Sequence, residues 1–437
     1  MSKPTLPSVE PPAKPLRSTF KQMMNEVVAY GSCCECGSCV LVCPHNVIEY
    51  VNGKPMQTAK ASAAHDFCGI SEGIGCDVCA QVCPRLYPRE FQLADAVFAN
   101  EPPFVPEPKI YEGVFGRYRK IVAARSTDES VKATCQDGGV VTTLLAYGFE
   151  KGLFDGAAVS VRDPERPAHP MPALVTSREE ALRTAGSWYT YCPNDLALEQ
   201  AEEKGCTKIA FVGVPCQVTP IRKMQQADAA YLDNGKKKEK HIDRQTKFLK
   251  GFGERVTLTI GLLCTEVFTY EGLMVQKIER EMGIPLAEVE KFNVKGKVLI
   301  YKKDGEMVDM PLKRAQEYAR PECHHCGDFT GEVADISCGG VGSMEWTITI
   351  LRTEKGERIF DELVREGRVE TRPMDEFENS MKILIRLAKR QHERVPVPPG
   401  REPGWVRPSF AMPTDRPATA TWSTAERSES GGDVPPA

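Results

Sequence analysis

The sequence predicts an α/β core preceded by a small module built on cysteine ligands, and three observations lead to that reading. Between roughly residues 110 and 394, apolar runs of strand length alternate with amphipathic stretches of helix length, the order that builds a sheet covered by helices. Ahead of this region lie two dense cysteine runs. Between the two parts stands Glu101-Pro-Pro-Phe-Val-Pro-Glu-Pro108, whose prolines favour a stiff, extended spacer. A chain of 437 residues is long enough for two or three such units.

Taken in order, residues 1–18 are rich in Pro and Lys and read as a disordered arm, and 20–30 as a short amphipathic helix leading into the module, which is assigned to 19–105. Twelve of the 17 cysteines fall into three sets of four. The first run, Cys33-x2-Cys36-x2-Cys39-x3-Cys43-Pro44, has the bacterial ferredoxin spacing that wraps a 4Fe-4S cluster. A looser second run is Cys68-x7-Cys76-x2-Cys79-x3-Cys83-Pro84. In two-cluster ferredoxins the fourth cysteine of each run serves the other run's cluster. One cluster is therefore assigned to Cys33, Cys36, Cys39 and Cys83, the other to Cys68, Cys76, Cys79 and Cys43.

Zinc would favour two paired C-x2-C units over a triple run ending in Cys-Pro. Disulfides would need an oxidising compartment, and the N-terminal MSKPTLPSVEPPAKPL has no apolar stretch of a secretory signal. The seven-residue gap after Cys68 is the irregular feature; without Cys68 the second site would hold three irons or draw in Cys34.

The core is assigned to 106–395. Buried strands are expected at 156–161, 208–212 and 256–263, and helices at 140–151, 194–204, 270–282 and 357–366. The basic run at 234–251 reads as a solvated insertion. Residues 396–437, rich in Pro, Ser, Thr and Arg, read as a disordered tail in which Trp405, Phe410 and Trp422 are scattered. With 56 basic and 60 acidic residues, the net charge of -4 gives no electrostatic case for nucleic acid. No run approaches the ~18 apolar residues of a membrane span. A reducing cytoplasm is the expected setting, with docking on a membrane complex through a partner left open.

Further cysteines of the core include Cys216 in Gly213-Val-Pro-Cys216-Gln217, Cys264 in Leu263-Cys264-Thr-Glu266, and the pair in Cys323-His-His-Cys326. Read alone, a buried cysteine is a small hydrophobe. The C-x2-C pair is equally half of a zinc site, completed by Cys338 or a histidine. If the core is an open α/β sheet, the three segments could converge on one metal at its strand ends.

With these segments go Ala124-Arg-Ser-Thr127, Cys135-Gln-Asp-Gly-Gly-Val-Val-Thr142, Ala185-Gly-Ser-Trp-Tyr-Thr-Tyr191, Asp328-Phe-Thr-Gly-Glu-Val-Ala-Asp-Ile-Ser337 and Gly340-Val-Gly-Ser343. Together, and in this order, they resemble the family of coenzyme F420-reducing hydrogenase beta subunits, which includes F420H2 dehydrogenase input subunits and formate dehydrogenase beta subunits. The resemblance covers nearly all of 110–390. It implies an α/β fold in which Cys216, Cys264, Cys323 and Cys326 hold a third 4Fe-4S cluster beside an FAD.

The residues suit a flavin. Gln136, Asp137, Gly138 and Gly139 lead straight into an apolar helix that begins before Thr142, so amides at a helix N-terminus can meet a pyrophosphate. Ser187, Tyr189, Thr190 and Tyr191 offer hydroxyls and flat faces, Gln217 an amide beside Cys216, and Gly340, Gly342 and Ser343 a second close loop. No G-x-G-x-x-G follows a strand, against a nicotinamide site. Lys297 resembles a family position for the anionic substrate tail, although an ordinary exposed lysine is the simpler reading.

The implied activity is hydride exchange between coenzyme F420 and FAD, with single electrons then passing through three 4Fe-4S clusters to or from a partner. That partner would be a hydrogenase, formate dehydrogenase, heterodisulfide reductase-like or respiratory complex, or a ferredoxin. The simple hydrogenase beta subunit lacks a fused cysteine module, whereas F420H2 dehydrogenase and formate dehydrogenase relatives carry one. Two alternatives are a ferredoxin-dependent tetrapyrrole reductase, whose N-terminal cysteines follow a different pattern, and an electron-wiring subunit without turnover of its own. No general acid or base is expected.

Overall fold

The computed structural model describes residues 17–58, 66–108, 111–228, 235, 237–343 and 345–396. All of the expected tail but residue 396, and all of the expected arm but Arg17 and Ser18, lie outside the described residues. Those two are docked: Ser18 is buried and its carbonyl accepts from Gln81, while Arg17 donates to the Ala227 carbonyl at 3.1 Å.

The strands, in chain order, are β1 (Ile48–Val51), β2 (Lys54–Gln57), β3 (Lys120–Ser126), β4 (Gly156–Arg162), β5 (Pro170–Val175), β6 (Ile209–Gly213), β7 (Val256–Leu262), β8 (Val289–Val294), β9 (Lys297–Lys302), β10 (Met307–Pro311), β11 (Ile336–Gly339), β12 (Thr347–Leu351) and β13 (Val369–Pro373). Eight of them form one mixed sheet in the order β13-β3-β12-β11-β7-β6-β4-β5. Its centre, β11-β7-β6-β4, is parallel, and antiparallel pairs close both ends.

The two-residue alternation of strand side chains sorts the core into layers. On β6, Ala210 and Val212 face a cluster with Leu144 and Leu145 of helix Val140–Glu150 and Ile359, Phe360 and Leu363 of helix Glu354–Arg365. Ile209 and Phe211 face the other way, against Val218 and Ile221 of helix Pro215–Gln225. On β3, Val122 and Ala124 join the first layer, while Ile121 and Ala123 meet Leu384 and Ile385 of helix Glu378–Glu393. With both faces covered, the central strands read as continuous apolar runs. Thr353 starts its helix by accepting from the Gly356 N–H at 3.1 Å.

The second face also receives the cysteine-rich segment. Leu41, Ala94 and Val97 pack beside the helix at 215–225, and Val42, Val78 and Val82 join Met224, Ala227 and Leu249. Polar ties cross the same boundary: Ser38 Oγ donates to buried Asp195 at 2.6 Å, and Lys223 Nζ donates to the carbonyls of Cys83, Leu86 and Tyr87 at 2.6, 3.0 and 3.2 Å.

Two expectations change. The proline stretch is not a free spacer: Glu107 bridges to Lys120 at the start of β3, and Arg119 lies over the Phe104 ring. The basic run is not a solvated insertion, because it carries helix Glu239–Gly253, whose Ile242, Gln245 and Leu249 are buried. Apolar residues at helical spacing decide the burial of that face, and the lysines are left on the other. Gln245 donates to the Gly75 carbonyl at 2.8 Å and Lys237 pairs with Asp77, so this segment clasps the cysteine module.

Strands β8–β10 form a separate antiparallel sheet that packs with the helical segment Tyr270–Glu281 around Phe268, Met274 and Phe292.

Candidate functional site

The parallel strands β6 and β7 are neighbours and end side by side, so the segments that follow them meet at one edge of the sheet. Cys216 sits in the first turn of helix Pro215–Gln225, just after β6, and Cys264 lies just past β7 with its N–H bonded to the Phe329 carbonyl at 2.9 Å. Cys323 lies within the helical turn Pro321–His325, and Cys326 caps its end. All four line one small cavity. Among the described residues, no three His, Cys, Asp or Glu groups close on a point as the ligands of one ion would. Cys338, a candidate to complete a zinc site, is packed in the apolar core with Ile336 and Ile260.

A second small cavity is lined by Cys33, Cys36, Cys39 and Cys83, the crossed set that the spacing leads one to expect. Cys43, Cys68, Cys76 and Cys79 also lie together: Cys43 and Cys68 are among the neighbours that raise the Cys76 thiol after burial, and Cys43 and Cys76 among those that raise Cys79. Burial is the largest cause that pushes up the thiols of Cys39, Cys264 and Cys323, and it takes Cys33 to about 12.

The two cavities share a wall, which the spacing of cysteines does not reveal. Cys34 and Arg85 line both. Cys34 lines one cavity with Cys216 and the other with Cys36, and its carbonyl accepts from Arg320 at 3.4 Å. Arg320 in turn pairs with Glu35 at 2.5 Å and lies 4.2 Å over the Tyr191 ring. A useful signal in the sequence is the cation placed directly after Cys83-Pro84.

The candidate flavin residues form a neighbouring group. Gln136 Nε2 donates to the Tyr189 hydroxyl at 2.7 Å, and Asn293 Nδ2 donates to the Gln136 carbonyl at 3.4 Å. Lys295 joins the two loops, pairing with Asp137 at 2.7 Å and donating to the carbonyls of Ser343 and Gly340 at 2.8 and 3.4 Å. Burial raises the Asp137 carboxyl, with Lys295 opposing. Thr142 is buried in the helix that begins after Gly139, and Ser187 precedes the Tyr189–Tyr191 segment. Lys297, by contrast, is 57% exposed and pairs with Asp309, as an ordinary surface lysine does.

Gln136 Oε1, Thr190 Oγ1, Tyr191 Oη and Asn293 Oδ1 are buried without a hydrogen-bond partner in the protein. Buried polar atoms are almost always paired, so this set fits a polar group that enters between the loops. Residues 136–139, 187–190, 293–295 and 340–343 are the ones that would hold it.

The glycines have another reason than close approach to a cofactor. A Cβ on Gly138 would lie 2.4 Å from the Ala124 carbonyl oxygen, and one on Gly340 would lie 1.6 Å from Asp137 Oδ2. On Gly342 it would meet Ile383 at 2.8 Å, and Gly139, at φ +69°, would meet Val131 at 2.7 Å. Two residues also take other places. Tyr191 lines the Cys216 cavity, and Gln217 spends its amide on the Cys192 carbonyl and the Val214 N–H, bracing the helix start.

Comparison with known proteins agrees with this architecture. Residues 121–199 match the sequence model for the N-terminal part of the coenzyme F420 hydrogenase/dehydrogenase beta subunit, and 206–377 match the model for its C-terminal part. The beta subunit of coenzyme F420 hydrogenase from Methanococcus voltae is 34% identical over 283 residues, 64% of this chain and 93% of that protein. One F(420)H(2) dehydrogenase subunit of Methanosarcina mazei is 32% identical over 349 residues, 78% of this chain and 84% of its own length. Coenzyme F420-dependent sulfite reductase of Methanocaldococcus jannaschii is 33% identical over 377 residues, 86% of this chain but 52% of that protein. A chain of the F420-reducing [NiFe] hydrogenase complex from Methanosarcina barkeri superimposes with a TM-score of 0.56 at 32% identity, covering 64% of this chain and 91% of its own. Among the described residues no helix is long and apolar enough to cross a membrane. The chain belongs to the family of coenzyme F420 hydrogenase/dehydrogenase beta subunits, which are parts of F420-linked oxidoreductases.

Proposed function

We propose that this chain passes electrons between coenzyme F420 and a redox partner, through an FAD in the core and three 4Fe-4S clusters. The observation that supports the reading is the pair of adjoining cysteine-lined cavities that share Cys34, one at the carboxyl edge of the sheet and one in the N-terminal module. In this reading 19–105 is a ferredoxin-like module and 106–395 the F420-facing unit.

FAD supplies the conversion between a two-electron hydride and single electrons, which clusters then carry one at a time. The chain's own part is orientation, exclusion of water and electrostatics. Tyr189 orients Gln136, whose free Oε1 faces a polar group, and the amides at the start of helix Val140–Glu150 favour a phosphate. Lys295 neutralises Asp137 and keeps the two loops in register. The Tyr189–Tyr191 segment runs from the flavin loops to the cysteine cavity, so the two centres are served by one short stretch of chain. Partners of the kinds named for the relatives, hydrogenase or dehydrogenase subunits, would take the electrons or supply them.

Anaerobic purification with iron, sulfide and flavin quantitation tests this. About twelve irons and one FAD per chain are expected, at four irons per cubane. Zinc in place of the core iron would break the electron path.

A further inference from the structure

Arg85 is 5% exposed and lines both cysteine cavities. Its guanidinium is held by three backbone carbonyls: Nε donates to Ser32 at 3.0 Å, Nη1 to His325 at 2.8 Å and Nη2 to Glu322 at 3.2 Å. The first precedes Cys33; the other two belong to the turn that carries Cys323 and Cys326. Carbonyls orient the cation but do not neutralise it, and no carboxylate among the described residues forms an ion pair with it. The contrast is with Arg320, a neighbour equally buried but paired with Glu35. An arginine cannot shed its proton, and a buried charge without a counter-charge is strongly unfavourable. Arg85 shares one cavity with Cys34, Cys216 and Cys326, and the other with Cys33, Cys36, Cys39 and Cys83. A cubane with four thiolate ligands is a net anion, and its charge sets its potential.

We propose that Arg85 is the shared counter-charge of two adjacent clusters, those held by Cys33, Cys36, Cys39 and Cys83 and by Cys216, Cys264, Cys323 and Cys326, and raises the potential of both. The inference rests on the cluster assignment made above. Reduction adds one electron to a cluster, with no bond made or broken, and a fixed cation between the two favours each reduction. It also makes this pair the point where electrons cross between core and module. The set of Cys43, Cys68, Cys76 and Cys79 does not line that wall and is left as the outer end of the path.

The test is an EPR-monitored redox titration of the full, anaerobically loaded chain, comparing wild type with Arg85→Gln and Arg85→Lys. In Arg85→Gln two of the three signals move to more negative potential, by about tenfold in each reduction equilibrium, 59 mV for one electron. The third stays in place. Arg85→Lys keeps the charge but loses the fork to the carbonyls, and it recovers most of the shift. Unmoved potentials at full iron content overturn the proposal, as do three equal shifts, or an Arg85→Lys protein as displaced as Arg85→Gln. If Arg85→Gln does not load its clusters, Cys216→Ala decides. Loss of the core signal should sharpen the reduced Cys33-set signal, and an unchanged line shape overturns the shared wall. Iron far below about twelve per chain in the wild type removes the cluster assignment itself, and this inference with it.

Discussion

Lys295 holds its ammonium 2.7 Å from the Asp137 carboxylate, 13% and 7% exposed respectively, and from there reaches the carbonyls of the 340–343 loop. Two loops separated by some two hundred residues of chain thus depend on one buried ion pair. Lys295 opens the tight turn between β8 and β9, where Gly296 has φ +72°.

Lys295→Met is expected to destabilise the fold by about 3–5 kcal/mol, because Asp137 is left as a buried charge without a partner. Asp137→Asn alone should cost a similar amount, and the double variant less than the two added together. Urea unfolding of the four proteins measures the coupling. Additive losses would mean that the pair does not join the loops. Both single variants should also retain less FAD.

The Ser38 hydroxyl donates to the buried carboxylate of Asp195, whose other oxygen has no hydrogen-bond partner. Burial raises this carboxyl, and the Ser38 bond opposes the rise. Ser38→Ala therefore removes the bond that ties the cysteine module to the core at this point, at a cost of about 1–3 kcal/mol. Limited proteolysis should then cut faster near 101–108, and an unchanged cleavage rate would count against this tie.

Asp335 gives the fold a sensitivity to acid. Burial would raise its carboxyl, but Arg222 at 3.0 Å, Lys355 at 3.3 Å and the Thr259 N–H outweigh it and hold it well below the ordinary range. A depressed carboxylate contributes stability that is full above its unfolded pKa of about 3.9 and is lost as pH falls below it. The urea midpoint should drop between pH 6 and pH 3 in the wild type, and that drop should be smaller in Asp335→Asn. Equal drops would assign the acid sensitivity elsewhere.

Crossed ligation makes a spectroscopic prediction. Cys83→Ser should abolish the same EPR signal as Cys33→Ser, although Cys83 belongs to the second run in sequence, and Cys43→Ser the same signal as Cys76→Ser. Loss of a signal shared by Cys83→Ser and Cys76→Ser would mean that each run holds its own cluster.

Local apolar runs carry much of this fold in legible form. The strands at 156–161, 208–212 and 256–263 and the helix at 140–151 appear within a residue or so of their expected limits, since each is an apolar stretch fully covered by neighbours. The helix at 239–253 is hidden because its six charged residues outnumber the four that it buries. Of the thiols that spacing groups together, Cys33, Cys36, Cys39 and Cys83 line one cavity. Cys34 is legible only as a spare ligand for the second run, and Arg85 not at all, because the Cys216 segment and the carbonyls near Cys323 that they meet lie far along the chain and no spacing records such a contact. Lys295 is passed over beside Lys297 for a similar reason: which lysine of the turn points inward is settled by the β8–β9 register.

The most direct test of the account is to mix the loaded, oxidised chain anaerobically with reduced F420 while following absorbance. The account predicts that flavin absorbance bleaches first and cluster absorbance follows, without a partner protein present. A chain with full iron and FAD that stays oxidised would contradict F420 as the hydride donor, and would point to a wiring subunit or to a tetrapyrrole substrate.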